Sequence, residues 1–154
     1  MAIADDRNWA DSHAAAGFFK MLLGHSEDGF AGVETALRLS PRDPNVPDWQ
    51  FYMCHLHTHL AQWEQAIEWC SKSIAGNPQN CFPFVDLAAA NAWAGHDKEA
   101  KDAAAQLQKV YPGFTVQTWA GIHWSDDPTF NAQYQRIVEG LRKAGVPEGD
   151  KKTN

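Results

Sequence analysis

Apolar residues recur at helical spacing along most of this chain. Between Asp48 and Leu60 they fall at Trp49, Tyr52, Met53, Leu56 and Leu60, the three-and-four rhythm of an amphipathic helix. Ala61-Gln62 makes a short turn. Residues 63–75 predict a second helix with Trp63, Ala66, Ile67, Cys70 and Ile74 on one face. Gly76-Asn77-Pro78 then stops it, because glycine and proline both favour a helix end. The same plan follows at once: a helix over 82–94, a turn at Gly95, and a helix over 97–110 closed by Pro112. A looser copy precedes it. Residues 9–22 predict a helix, Gly24 a turn, and Ser26 an N-cap for a helix over 27–39 that ends before Pro41. Gly29 and Gly32 lie inside that helix and predict a close approach by a neighbouring helix.

Three prolines keep time. Pro78 and Pro112 are 34 residues apart and Pro41 and Pro78 are 37 apart, the longer interval reflecting the connector PRDPNVP over 41–47. A fixed period of this length signals stacked helix pairs. The pattern breaks over 113–127, where Trp119, Ile122 and Trp124 are available for packing. Ser125-Asp126-Asp127-Pro128 then announces a last helix to about Ala144, with Gly145 as its C-cap and Phe130, Tyr134, Ile137, Val138 and Leu141 on its apolar face. Such a helix covers the last face of a stack. The polar stretch over 146–154 reads as a frayed tail.

These spacings resemble the tetratricopeptide repeat (TPR), a 34-residue helix pair. The unit over 81–114 carries the resemblance through Phe84, Leu87, Ala88, Gly95, Ala100, Ala104, Leu107 and Pro112, with Asn91 where an aromatic is usual. The unit over 47–80 does so through Met53, Cys54, Ala61, Ala66, Cys70, Ser73 and Pro78, with His57 at the tyrosine position. The unit over 10–43 retains Gly17, Gly24, Val33, Ala36 and Pro41, with Gly29 for the usual alanine and His13 for the usual tryptophan. The resemblance implies a single all-α domain: a right-handed superhelix of three TPR helix pairs plus a C-terminal capping helix, an α-α solenoid. The stretches QWEQAIEWCSKSIAGNP, YPGFTV and SDDPTFNAQYQRIVEGLRKAGVPEG also look like the C-terminal repeat regions of bacterial class III adenylate/guanylate cyclases. No cyclase catalytic domain lies within these residues, so the chain is either a fragment of such a protein or a stand-alone relative. No nucleotide chemistry is carried over.

In TPR arrays the first helix of each pair lines a concave face that takes a protein or peptide segment. On this chain those positions are Asp11, Ala14, Phe18, Met21 and Leu22, then Asp48, Phe51, His55, Thr58 and His59, then Phe82, Val85, Ala89, Ala92 and Trp93. The expected contact residues are Phe18, Met21, Leu22, Phe51, His55, Thr58, His59, Phe82, Val85, Ala89 and Trp93. An exposed strip this apolar marks a binding surface. It holds no Lys/Arg clamp, which argues against a partner with an acidic tail. Two alternatives stand beside it: the C-terminal segment folds back over the strip, or the strip is buried in a homo-oligomer.

Composition narrows the partners. The net charge is −6, with no dense Lys/Arg cluster, which argues against nucleic acid and against an anionic membrane surface. No apolar run approaches the roughly 20 residues that span a bilayer, and MAIADDRNW has no apolar leader region. Cys54, Cys70 and Cys81 form no C-x-x-C and read as reduced thiols of a cytoplasmic protein.

One cluster invites chemistry. In CHLHTHL (54–60), His55 and His59 stand four apart on one helix face, and Cys54 and His57 three apart on its neighbour. A metal needs three or four ligands, which one helix rarely supplies, and there is no H-E-x-x-H. The cluster reads first as packing and surface, then as partner contact, and last as a metal site. There is no phosphate-binding glycine loop and no G-x-S-x-G, so no catalytic residue and no cofactor are expected.

Overall fold

A computed structural model describes residues 2–149, and the side chains from residue 9 onward. Among the described residues it contains eight helices and no strand: α1 (Ala2–Leu22), α2 (Ser26–Leu39), α3 (Val46–His59), α4 (Trp63–Gly76), α5 (Phe82–Ala94), α6 (Asp97–Val110), α7 (Val116–Ala120) and α8 (Pro128–Lys143). Helices α1/α2, α3/α4 and α5/α6 form three hairpins stacked side by side into an α-α solenoid, which α8 closes by packing on α5 and α3.

The proline period is written into the backbone. Ser40, Asn77 and Tyr111 immediately precede Pro41, Pro78 and Pro112, and their φ/ψ values are −135/66°, −144/84° and −129/85°. A proline ring clashes with a helical residue before it, so each of these leaves the α region. Each still donates its N–H back to the last turn, to Ala36, Ser73 and Leu107. The hairpin turns keep the same period. Gly24, Ala61 and Gly95 occupy the left-handed region at φ 78°, 58° and 82°, and His25, Gln62 and His96 follow as the N-caps of the second helices.

Glycines bring the first hairpin together. A Cβ on Gly29 would meet Leu56 Cδ2 at 2.6 Å and Gly17 O at 2.7 Å, so the glycine lets α2 lie against the α1 backbone and gives the Leu56 side chain of α3 its place. The core behind this contact includes Ala14, Met21, Val33, Trp49 and Leu56, and continues without a break through Val85, Leu107, Ile137 and Leu141.

Three local expectations are corrected. The N-cap of α2 is His25, and Ser26 stands inside the helix, buried, because its hydroxyl donates to Gln133 Oε1 of α8 at 2.9 Å. Residues 146–149 do not fray: Val146 is buried, and the Pro147 and Glu148 carbonyls accept from Val116 and Gln117 of α7. The rest of the tail lies outside the described residues. Finally, Cys54 and Cys70 are not reduced thiols. Their positions face each other across the α3/α4 hairpin, with Cα atoms 5.0 Å apart, and they form a disulfide. Cys81 remains a free thiol. The premise for a reducing compartment is thereby removed.

Candidate functional site: an aromatic pocket in the concave face

The concave face is divided between α8 and an open pocket. Phe130, Tyr134, Ile137, Val138 and Leu141 of α8 are all buried. Asp127 starts this helix by accepting from the Thr129 and Phe130 amides. Polar contacts then fix α8 in the groove. Trp93 Nε1 donates to Arg136 O at 2.8 Å, and Arg136 Nη2 donates to His59 O at 2.8 Å. Gln133 Oε1 accepts from Ser26 and from Nδ1 of His59.

What α8 leaves uncovered is a cavity of about 300 Å³ at the mouth of the groove. It is lined by Phe18, Leu22, Asp48, Phe51, Tyr52, His55, Asn80, Phe82, Trp119, Trp124 and Phe130. The solenoid supplies one wall. Phe51 and Phe82 stack at 5.8 Å between ring centroids, and Phe18 meets Tyr52 at 4.9 Å. The 113–127 segment supplies the other wall. Thr115 and Thr118 cap α7 reciprocally, which sets Trp119 against Phe82 at 5.9 Å and against Trp124 at 6.1 Å. Tyr134 steadies both tryptophans: its hydroxyl donates to Trp119 O at 2.6 Å and accepts from Trp124 Nε1 at 3.2 Å.

Of the eleven residues expected to contact a partner, five line this cavity: Phe18, Leu22, Phe51, His55 and Phe82. The other six are placed elsewhere. Met21, Thr58, His59, Val85 and Ala89 are buried. Thr58 donates to Cys54 O within its own helix, His59 stacks on Phe130 at 4.8 Å, and Ala89 faces Gly140 of α8. Trp93 is held between Trp63, at 6.1 Å, and Lys143. Sequence reasoning assigned no binding role to Trp119, Trp124, Tyr52, Asn80 or Phe130. The tryptophans stand in a stretch without periodicity, and only the local density of aromatic residues hinted at them.

The pocket's polar groups are few: Asp48, His55, Asn80 and the Tyr52 hydroxyl. Asp48, in the first turn of α3, is its one carboxylate, and no Lys or Arg lines it. His55 Nδ1 donates to Asp86 Oδ2 at 2.6 Å in a buried pair. Asp86 Oδ1 and Trp119 Nε1 are buried without a protein partner. Cys54 Sγ approaches Asp86 Oδ2 at 3.6 Å; as a disulfide sulfur it carries no proton, so this is a contact and not a hydrogen bond. Burial, then Asp48 and Asp11, push the Tyr52 phenol pKa up. Burial, seconded by His55, holds His59 well below the usual imidazole range. His55 and His59 lie 4.7 Å apart between ring centroids. Among the described residues no three His, Cys, Asp or Glu side chains converge as metal ligands, and no helix is long and apolar enough to cross a membrane.

No protein-family model matches the chain, and no curated protein matches it. Among solved structures, the crystal structure of MamA, a TPR-containing protein, is similar over 93% of this chain and 80% of that one, with a TM-score of 0.64 and 16% identity. That likeness shows the fold: an all-α solenoid of TPR-type helix pairs.

Proposed function

We propose that this domain is a protein-interaction module that takes a side chain of an extended peptide segment in the aromatic pocket, with the apolar part of that side chain among the rings. The observation that carries the reading is the cavity itself. Seven of its eleven lining residues are phenylalanine, tyrosine or tryptophan, Phe82 is 38% exposed, and an apolar surface left open in this way gains free energy when a partner covers it. The test is selection from a displayed library of random peptides. Enriched peptides that share one anchor side chain, and that no longer bind Phe82→Asp, support the reading. No enrichment, or binding indifferent to both Phe82→Asp and Phe51→Ala, overturns it.

Self-association is the second reading, and one observation favours it. Trp9 and Phe19 of α1 and Leu23 just after it are 66%, 60% and 64% exposed. Sedimentation that shows only monomer at all concentrations counts against it. The finer context, regulation of a nucleotide cyclase, rests on the C-terminal sequence resemblance; a cyclase domain in the same reading frame is the observation that supports it.

A further inference from the structure

The pocket joins aromatic rings to uncompensated negative charge, a combination an all-apolar anchor does not use. Asp48 is the only charged side chain on the wall besides His55. Beneath His55 lies Asp86, fully buried, with Oδ1 free of any protein partner. Asp48 is thus the acidic group on the wall, and no Lys or Arg side chain stands beside it there. Charges enclosed by apolar walls act at lower effective dielectric than charges in bulk water.

We infer that the anchor this pocket is built for is an arginine side chain of the bound segment, its stem among the rings and its guanidinium on Asp48. The inference rests on the reading that the pocket takes a peptide side chain. A planar guanidinium stacks on aromatic faces such as those of Tyr52, Trp119 and Trp124. It is more weakly hydrated than an ammonium, so it loses less on leaving water, and its fork of donors matches a carboxylate. Asn80 Nδ2 is 3.5 Å from one Asp48 oxygen, a long contact that leaves the carboxylate able to accept from a ligand. Trp124 Nε1 is already engaged by Tyr134, so this indole has its ring face rather than its N–H to offer.

The experiment titrates the ¹⁵N-labelled domain with acetyl-Leu-Arg-Leu-amide, reading the indole resonances of Trp119 and Trp124. Parallel titrations use the citrulline, lysine and norleucine tripeptides. Arginine is expected to bind about tenfold tighter than citrulline, which keeps the shape and loses the charge. That advantage shrinks at high salt and disappears in Asp48→Asn. Because the salt arm uses the unaltered protein, the result does not depend on the variant folding. Norleucine binding as tightly as arginine overturns the arginine inference and leaves the peptide-binding reading standing. Citrulline or lysine equal to arginine also overturns it, as does an advantage that survives both salt and Asp48→Asn. If no tripeptide moves either indole the inference fails, and the library selection decides separately whether the pocket binds peptide at all.

Discussion

Gly140 of α8 packs so tightly on Ala89 of α5 that a Cβ on the glycine would lie 2.7 Å from the alanine's Cβ and 2.8 Å from its Cα. No real Cβ tolerates that distance, and backbone is one of the obstacles. The contact lets α8 sink into the concave face, where it covers Ala89, Val85 and His59 and leaves the aromatic mouth open. Gly140→Val forces the two helices apart. Overpacking of this kind costs about 1–3 kcal/mol, so urea unfolding of Gly140→Val is expected to show a midpoint lower by that equivalent. Glycine's poor intrinsic helix propensity works the other way, by under about 1 kcal/mol; a variant as stable as the parent means α8 does not sit this deep.

Ala61 makes the opposite prediction. The equivalent turn residues in the other two hairpins are glycines, Gly24 and Gly95, and all three have positive φ. An L-residue in the left-handed region costs roughly 1–2 kcal/mol, while replacing it with glycine adds unfolded-state entropy worth about 0.4–1 kcal/mol. Ala61→Gly is therefore expected to stabilise, by up to about 1.5 kcal/mol, in thermal or urea unfolding, the difference between those two ranges. A loss of stability contradicts the assigned turn.

These two residues show what was legible in the chain and what was not. The proline and glycine period marked the helix pairs, because helix ends and left-handed turns are local chemistry that each residue carries with it. The inner-face register was legible for the same reason. Which inner-face residues remain open was not. That depends on where α8 docks, a long-range fit set by Gly140 against Ala89 and by Arg136 on the His59 carbonyl. Trp119 and Trp124 escaped notice as wall residues because the stretch 113–127 has no apolar periodicity to show their direction; the local cap of Thr115 on Thr118 and the long-range contacts of Tyr134 set it. The disulfide was hidden by spacing. Cys54 and Cys70 are 16 residues apart and meet only once α3 and α4 fold into a hairpin.

That disulfide closes a loop of moderate length. Loop-closure entropy for about 15 residues corresponds to roughly 3 kcal/mol of stabilisation. Reduction, or Cys70→Ser, is expected to lower stability by about 2–3 kcal/mol. Alkylation of the unreduced, denatured protein is expected to modify Cys81 alone. Three modified cysteines without reductant contradict the bridge.

His59 gives the fold a pH dependence. Burial first, then His55, depress its pKa in the folded state well below the usual imidazole value of 6.5. The unfolded chain therefore takes up a proton on His59 before the folded one does. The stability this buried neutral ring contributes is complete above pH 6.5 and is lost as pH falls from there toward the folded-state pKa. Half-buried His57 shifts in the same direction, chiefly through burial, with a smaller effect because solvent reaches it. Stability is expected to fall with a slope of up to about 1.4 kcal/mol per pH unit per histidine below neutrality. Denaturation midpoints at a series of pH values measure it, and His59→Gln is expected to flatten the curve. An unchanged slope in that variant contradicts the assignment.

The account turns on α8 lying in the groove with the aromatic mouth beside it. The most direct measurement is a set of side-chain nuclear Overhauser effects in solution. The rings of His59 and Phe130, with centroids 4.8 Å apart, and those of Phe82 and Trp119, at 5.9 Å, are expected to give cross-peaks in the same sample. Absence of the His59–Phe130 cross-peak, with α8 amides exchanging as freely as those of an unprotected helix, would contradict both the filled groove and the pocket it leaves.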